Sequence, residues 1–126
     1  MKRFLIGLTV LVFLLAISLF VAISAENMYK PVIRLLEEAS GIALSGDFAV
    51  AKSRAEQAQR LWDKNKNATA TVADHTPMEE IDHLFAETKV YATAEEVPHF
   101  AACCAQLAAM VRDMRDAHAL NLWNLL

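Results

Sequence analysis

The stretch FLIGLTVLVFLLAISLFVAI, residues 4–23, is an apolar run interrupted only by Gly7, Thr9 and Ser18. A helix rises about 1.5 Å per residue, so this stretch would span about 30 Å, the thickness of the hydrocarbon core of a bilayer. It contains no charged residue, and inside a bilayer its backbone groups are all hydrogen-bonded only in a helix. The sequence therefore predicts a transmembrane anchor over residues 4–25.

The charges beside this run predict its orientation. Lys2 and Arg3 precede it, which favours a cytoplasmic amino terminus over residues 1–3 and an extracytoplasmic domain over residues 26–126. A cleaved signal peptide is the alternative, because the small residues of 22–25 offer a cleavage site, although signal-peptide apolar cores are usually about 7–15 residues long. The domain is exported under either interpretation, as a single-pass membrane protein or as a secreted one.

Composition limits the class of protein. The chain has 126 residues, 56% of them hydrophobic and 21% charged, with a formal net charge of −3. Such a length predicts one domain, and the aliphatic content excludes a disordered chain. Two adjacent cysteines do not form a disulfide framework or a four-cysteine zinc module. A near-neutral chain without a basic face predicts no nucleic-acid binding.

After residue 26 the apolar residues recur every three or four positions, which predicts helices only. The first segment runs over about 28–44, either capped by Asn27 with Pro31 in its first turn or continuous with the anchor and bent at Pro31. Ser45-Gly46-Asp47 then ends this helix and begins the next.

Three further segments follow. The second carries an apolar stripe from Phe48 to Trp62. Capping boxes at Thr76 and Thr93 open the third and the fourth, although Pro98 favours a start of the fourth nearer Val97. The predicted fold is all-α: an N-terminal transmembrane helix followed by an antiparallel bundle of three to four helices.

Several short motifs resemble, in order and spacing, those of a bacterial single-span family, domain-of-unknown-function family four thousand three hundred and sixty-three. They are Gly46-Asp47-Phe48, Ala51-Lys52, Trp62, Asp74-His75 and the closing LNLWNLL of residues 120–126. Members usually carry Trp where Phe48 stands and an acidic residue where Thr76-Pro77 stand. The resemblance implies a bacterial envelope protein and supplies no catalytic mechanism. Its candidate structural or interaction residues here are Phe48, Trp62, Asp74, His75, Asn121, Trp123 and Asn124.

A metal site is one candidate for chemistry. His75, Glu79 and His83 are spaced by four, so one continuous helix would place them on a shared face that holds a divalent ion. A helix that starts at Thr76-Pro77 with Glu79 in the capping box removes that face, and His75 then bonds locally to Asp74, Trp62 or the backbone. No cofactor is predicted.

The cysteines and the hydroxyl residues suggest no catalysis. Cys104 lies on the apolar stripe of the fourth helix and is predicted to be buried, whereas Cys103 offers a disulfide to another chain. Since no nucleophile has a supporting base motif and no glycine-rich phosphate loop is present, the chain is predicted not to be an enzyme.

Two surfaces are candidates for partner contact. The apolar tail, residues 120–126, is expected either to pack back onto the bundle or to dock on a partner or the membrane surface. The third helix, 77–92, is acidic, and a protein partner is predicted through it or through the tail. The oligomeric state is not predicted.

The sequence thus favours a non-enzymatic structural or adaptor component of the bacterial envelope, with an extracytoplasmic small-ligand or metal sensor as the alternative.

Overall fold

The computed structural model describes the backbone of residues 1–69 and 75–124, and their side chains except at 25, 68, 69, 75, 118, 119 and 121–124. Its elements are four helices: α1 (Lys2–Ser45), α2 (Phe48–Thr69), α3 (His75–Thr93) and α4 (Val97–Asn124). No strand occurs within the described ranges. The prediction of an all-helical protein is confirmed.

The first helix is continuous over 44 residues with Pro31 inside it. Of the two alternatives, the helix continuous with the anchor is therefore the one found, and the cap at Asn27 is wrong. Proline has no N–H, and the helix loses one bond to the carbonyl four residues back. Packing sustains the helix through this point, because Tyr29 and Val32 on either side of Pro31 are both buried. In addition, Asn65 Nδ2 of α2 donates to the Met28 carbonyl at 3.1 Å.

The first half of α1 is exposed and strongly apolar. An 18-residue window has a mean hydropathy of 2.9, and none of it is buried against the rest of the chain. By length and composition this helix is able to cross a membrane. The second half, from Met28 to Ser45, packs into the core.

Neighbouring helices run antiparallel. The second half of α1 packs against α2 and α4, and α3 packs against α4, whereas α2 and α3 meet over a short stretch. Along α2 and α1, Arg54 pairs with Glu38 at 3.6 Å, and Asn65 further along α2 reaches back to Met28. Along α1 and α4, Ser40 Oγ donates to the Ala101 carbonyl at 2.9 Å, and Arg112 pairs with Glu37.

The core has a small-residue end and a large-residue end. Near the α1–α2 turn it is built mainly of alanine, so the helix backbones approach closely and the hydroxyl of Ser40 reaches a backbone carbonyl of α4. The other end holds the larger side chains. Its fully buried members include Trp62, Tyr29, Leu36, Ile81, Leu107, Val32 and Val111.

The apolar stripes that the sequence predicts are the ones that the fold buries. On the four helices these buried positions are Val32, Leu36, Ala39 and Ala43; Ala51, Ala55, Ala58 and Trp62; Met78, Ile81, Phe85 and Thr88; Phe100, Cys104, Leu107, Val111 and Met114. Phe48, Tyr91, Ala92 and Val97 lie partly buried at the edges of the stripes.

The α1–α2 turn is the one predicted. Gly46 has φ +108°, in the left-handed region, and its N–H donates to the Ala43 carbonyl at 3.3 Å. Asp47 Oδ1 then accepts from the N–H of Val50 at 3.4 Å in the first turn of α2.

The capping boxes are placed differently from the prediction. Helix α3 begins at His75, one residue before the predicted cap at Thr76. Thr93 is not a cap of α4 but the last residue of α3, where its Oγ1 donates to the Lys89 carbonyl at 3.0 Å. The chain reverses at Glu95, whose φ is 56°, and α4 begins at Val97 with Pro98 in its first turn, as the proline indicated.

Candidate functional site

Helices α2 and α3 are joined by a cluster of three side chains. Trp62 is 1% exposed, and its indole N–H donates to Asp82 Oδ1 at 2.8 Å. Lys66 Nζ, one helical turn after Trp62, donates to the other oxygen of the same carboxylate at 3.2 Å. A buried tryptophan needs an acceptor for its single N–H, and Asp82 supplies it.

The charge of Lys66 is stabilised by this cluster. Its hydrogen bond to Asp82 is the largest cause of a raised pKa, and the negative charges of Asp82 and Asp63 add to it while desolvation opposes it. The Lys66–Asp63 separation is 3.4 Å. A carboxylate that accepts from both an indole and an ammonium fixes the spacing of α2 and α3 at this end.

Beyond the cluster, a groove of about 280 Å³ lies between α2 and α3. Its apolar lining comes from three helices: Ala55 of α2, Phe85 and Ala92 of α3, and Phe100 of α4. Polar and charged side chains of both signs form the rest of its lining. They are Lys52, Glu56, Gln59, Arg60, Asp63, Thr88 and Lys89. Such a lining suits an amphipathic peptide or helix with an apolar side and charges beside it.

Aromatic rings lie at the end of the groove opposite to Trp62. Phe48 meets Phe100 edge to face, with centroids 5.1 Å apart, and Lys52 Nζ lies 5.1 Å from the centroid of Phe48. Phe48, the position where the resembled family usually has tryptophan, is therefore a partly buried contact between α2 and α4. Its ring positions the cation of Lys52 at the groove.

The acidic third helix has a polar contact with the start of α4. Tyr91 and His99 stack with centroids 5.1 Å apart, and the Tyr91 hydroxyl donates to Glu87 at 3.2 Å, which raises the pKa of Tyr91. His99 Nδ1 lies 3.3 Å from Glu96, and His99 is exposed. Glu79, Glu80 and Glu87 of the same helix are exposed.

Both thiols are buried. Burial raises the pKa of Cys104 to about 12, with the nearby Cys103 adding to the effect. Burial and the charge of Glu87 also raise the pKa of Cys103, against a hydrogen bond with Thr88 that lowers it. Cys103 is 7% exposed and hydrogen-bonds with Thr88 of α3, and this burial disfavours a disulfide to another chain.

The candidate metal residues are only partly described. Glu79 and His83 are exposed on α3, whereas Asp74 and the side chain of His75 lie outside the described residues. Within the described part of the chain, no group of three or more His, Cys, Asp or Glu residues has a geometry that would hold a metal. The three-residue metal site remains a prediction. Trp62, one of the three local partners expected for His75, donates its indole N–H to Asp82.

The tail is described through its backbone as far as Asn124, the last residue of α4. Leu120 is 64% exposed, so it does not pack back onto the helices. The side chains of Asn121, Trp123 and Asn124 lie outside the described residues.

Sequence reasoning missed Lys66 and Asp82 as site residues. The available signal was a tryptophan in the middle of a buried stripe, since its N–H requires an acceptor on a neighbouring helix. The sequence did not indicate which of the many acids of α3 that acceptor would be.

These features define a class: an all-helical protein whose long first helix is apolar in its first half and part of the core in its second. The family model for Domain of unknown function (DUF4363) matches residues 19–125. The chain belongs to this family, the one that its motifs resemble. Neither the curated proteins nor the solved structures yield a match.

Proposed function

We propose that this protein is a membrane-anchored, non-enzymatic adaptor or structural component of the bacterial cell envelope, with residues 26–126 outside the cytoplasm. One observation carries the proposal: a single helix joins an exposed apolar stretch to the packed core without a break. An exposed apolar surface of this size is unfavourable in water and favourable in lipid.

The charges at the amino terminus support the orientation. Lys2 and Arg3 precede the apolar stretch, and positive residues are retained on the cytoplasmic side.

The groove between α2 and α3 is the surface that we assign to a partner. It combines an apolar lining with cations and anions, as an amphipathic helix or peptide of another envelope protein requires. Its charged lining consists of three cations, Lys52, Arg60 and Lys89, and two anions, Glu56 and Asp63. This lining favours a partner with charges of both signs beside its apolar side.

Topology is tested first. A reporter that is active only outside the cytoplasm, fused after Leu126, should be active, and the full-length chain should stay in the membrane after alkaline extraction. A reporter active only in the cytosol, or release of a shortened chain into the soluble fraction, would contradict the anchored orientation.

Partner contact is tested by site-specific photocrosslinking in native membranes. A crosslinking residue replaces Gln59 at the groove, and a matched one replaces Gln106, which is exposed on α4 outside the groove lining. A discrete adduct from position 59 and none from position 106 is expected. The groove has no partner role if neither position yields an adduct or if both yield the same one.

A further inference from the structure

We propose that the carboxyl-terminal end of α4, from Leu120 onward, inserts into the membrane–water interface beside α1, so that both α1 and α4 contact the lipid. The inference rests on the proposed membrane anchoring of α1. The surface that covers the apolar end of α4 is lipid, rather than a second protein or the helical core.

The register of α1 and α4 brings the tail to the end of the apolar stretch. The Ser40–Ala101 hydrogen bond and the Glu37–Arg112 ion pair fix two levels along this antiparallel pair. Both helices rise about 1.5 Å per residue. Each residue added along α4 is therefore matched by one residue back along α1. Counted from the Ser40–Ala101 hydrogen bond, Leu120 lies level with Val21, and counted from the Glu37–Arg112 ion pair it lies level with Tyr29.

The same counting places residue 123 between the levels of Ser18 and Glu26. This interval contains the last turns of the apolar stretch 4–23 and the first charged residue after it. In a membrane-anchored chain it is the outer interface of the bilayer. Helix α4 therefore returns to the lipid surface from which α1 emerges.

The surface of α1 at this level differs from the rest of the apolar stretch. Ser18 and Ala22 are half-buried, whereas the larger apolar side chains around them are exposed. They continue, by steps of three, four or seven residues, the buried stripe of Tyr29, Val32 and Leu36 back along α1. Small residues at such positions allow another helix to lie close within a membrane.

The chemistry of the tail fits an interface. Leu120 is 64% exposed, and the sequence LNLWNLL that it begins contains four leucines, one tryptophan, two asparagines and no charge. Tryptophan is enriched at membrane–water interfaces, where its ring is in contact with acyl chains and its N–H with water or headgroups. In water the same segment would be an exposed apolar patch.

The test uses tryptophan fluorescence of the full-length chain in phosphatidylcholine vesicles that carry bromine either near the headgroup end or near the middle of the acyl chains. The chain has two tryptophans, and Trp62 is buried in the core. The signal of Trp123 is therefore the difference between the wild type and Trp123→Phe. We expect the shallow bromines to quench this difference signal at least twofold more strongly than the deep ones.

Equal quenching of the wild type and Trp123→Phe, with the chain still resistant to alkaline extraction, would overturn the inference and leave the anchor intact. Extraction of the chain from the vesicles would instead contradict the proposed anchoring. A second comparison uses Leu120→Lys and Val90→Lys, at residues 64% and 65% exposed. Only the first should reduce the shallow quenching, and equal effects would also overturn the inference.

Discussion

The indole N–H of Trp62 donates to Asp82 Oδ1 at 2.8 Å and connects two helices that otherwise scarcely touch. The tryptophan is buried, and the aspartate is half-buried and also accepts from Lys66. The bond thus joins the core of the protein to the end of its groove. The acceptor thus links α3 to α2 at the end of the groove.

Removing the acceptor should destabilise the fold. Asp82→Ala leaves the Trp62 N–H buried without its partner, and we expect a loss of about 1–3 kcal/mol in the free energy of unfolding, measured by denaturant titration in detergent. Asp82→Asn keeps an oxygen acceptor and should lose less. Asp63→Ala removes an exposed acid that also contacts Lys66 and should change stability by less than about 0.5 kcal/mol. Equal losses for Asp82→Ala and Asp63→Ala would show that the indole bond contributes nothing.

Lys66 should make stability fall at high pH. Its pKa is raised in the folded state by the hydrogen bond to Asp82, so its contribution is fully present below the unfolded value of about 10.4 and is lost as the pH rises through the folded pKa. The difference in unfolding free energy between the wild type and Lys66→Met should be constant from pH 7 to about 10 and shrink above it. Lys64→Met, at an exposed neighbouring position, controls for the removal of a positive charge. A difference that grows with pH would contradict the raised pKa.

Gly41 within α1 and Gly46 directly after it should respond in opposite directions to alanine. Gly46 has φ +108°, a conformation that disfavours a Cβ, so Gly46→Ala should cost about 1–2 kcal/mol of stability. Gly41 lies within the helix with open space around it, and Gly41→Ala should add about 0.5–1 kcal/mol. Thermal unfolding of the two variants measures both effects, and a higher melting temperature for Gly46→Ala would refute the left-handed turn.

Both native thiols should be protected from reagents. Cys103 and Cys104 are buried with raised pKa values, so at pH 8 a thiol-specific reagent should label the folded chain at least a hundredfold more slowly than the unfolded one. Ser53→Cys adds an exposed thiol on α2 and should react rapidly in the folded protein. Rapid labelling of the wild type, or a disulfide-linked dimer after mild oxidation, would contradict the burial of Cys103.

The sequence predicts the helices and their buried stripes because both follow from local spacing. The residues of α4 from Phe100 to Met114 show this, since each position on the predicted stripe is buried. The left-handed turn at Gly46 was equally predictable, because a glycine followed by aspartate satisfies the end of one helix and the start of the next.

Contacts between helices distant in sequence were not predictable from spacing. Cys103 lies one residue off the stripe, so the stripe does not predict its burial, yet it contacts Thr88 of α3 and is buried. Thr93 and Glu96 match a capping box, but the left-handed Glu95 between them ends α3 and shifts the start of α4. In both cases a tertiary or backbone constraint outweighs a local pattern.

The unbroken course of α1 past Pro31 has a geometric consequence. The two halves of α1 form one rigid helix without a linker. The direction in which the groove faces, around the axis of α1, is therefore set by how the apolar half is rotated about that axis. One extra alanine inserted before Tyr29 would turn the helical domain by about 100° and raise it by about 1.5 Å, whereas seven would nearly restore the heading. The number of residues between the apolar half of α1 and Tyr29 therefore determines how the helical domain is oriented around the helix axis.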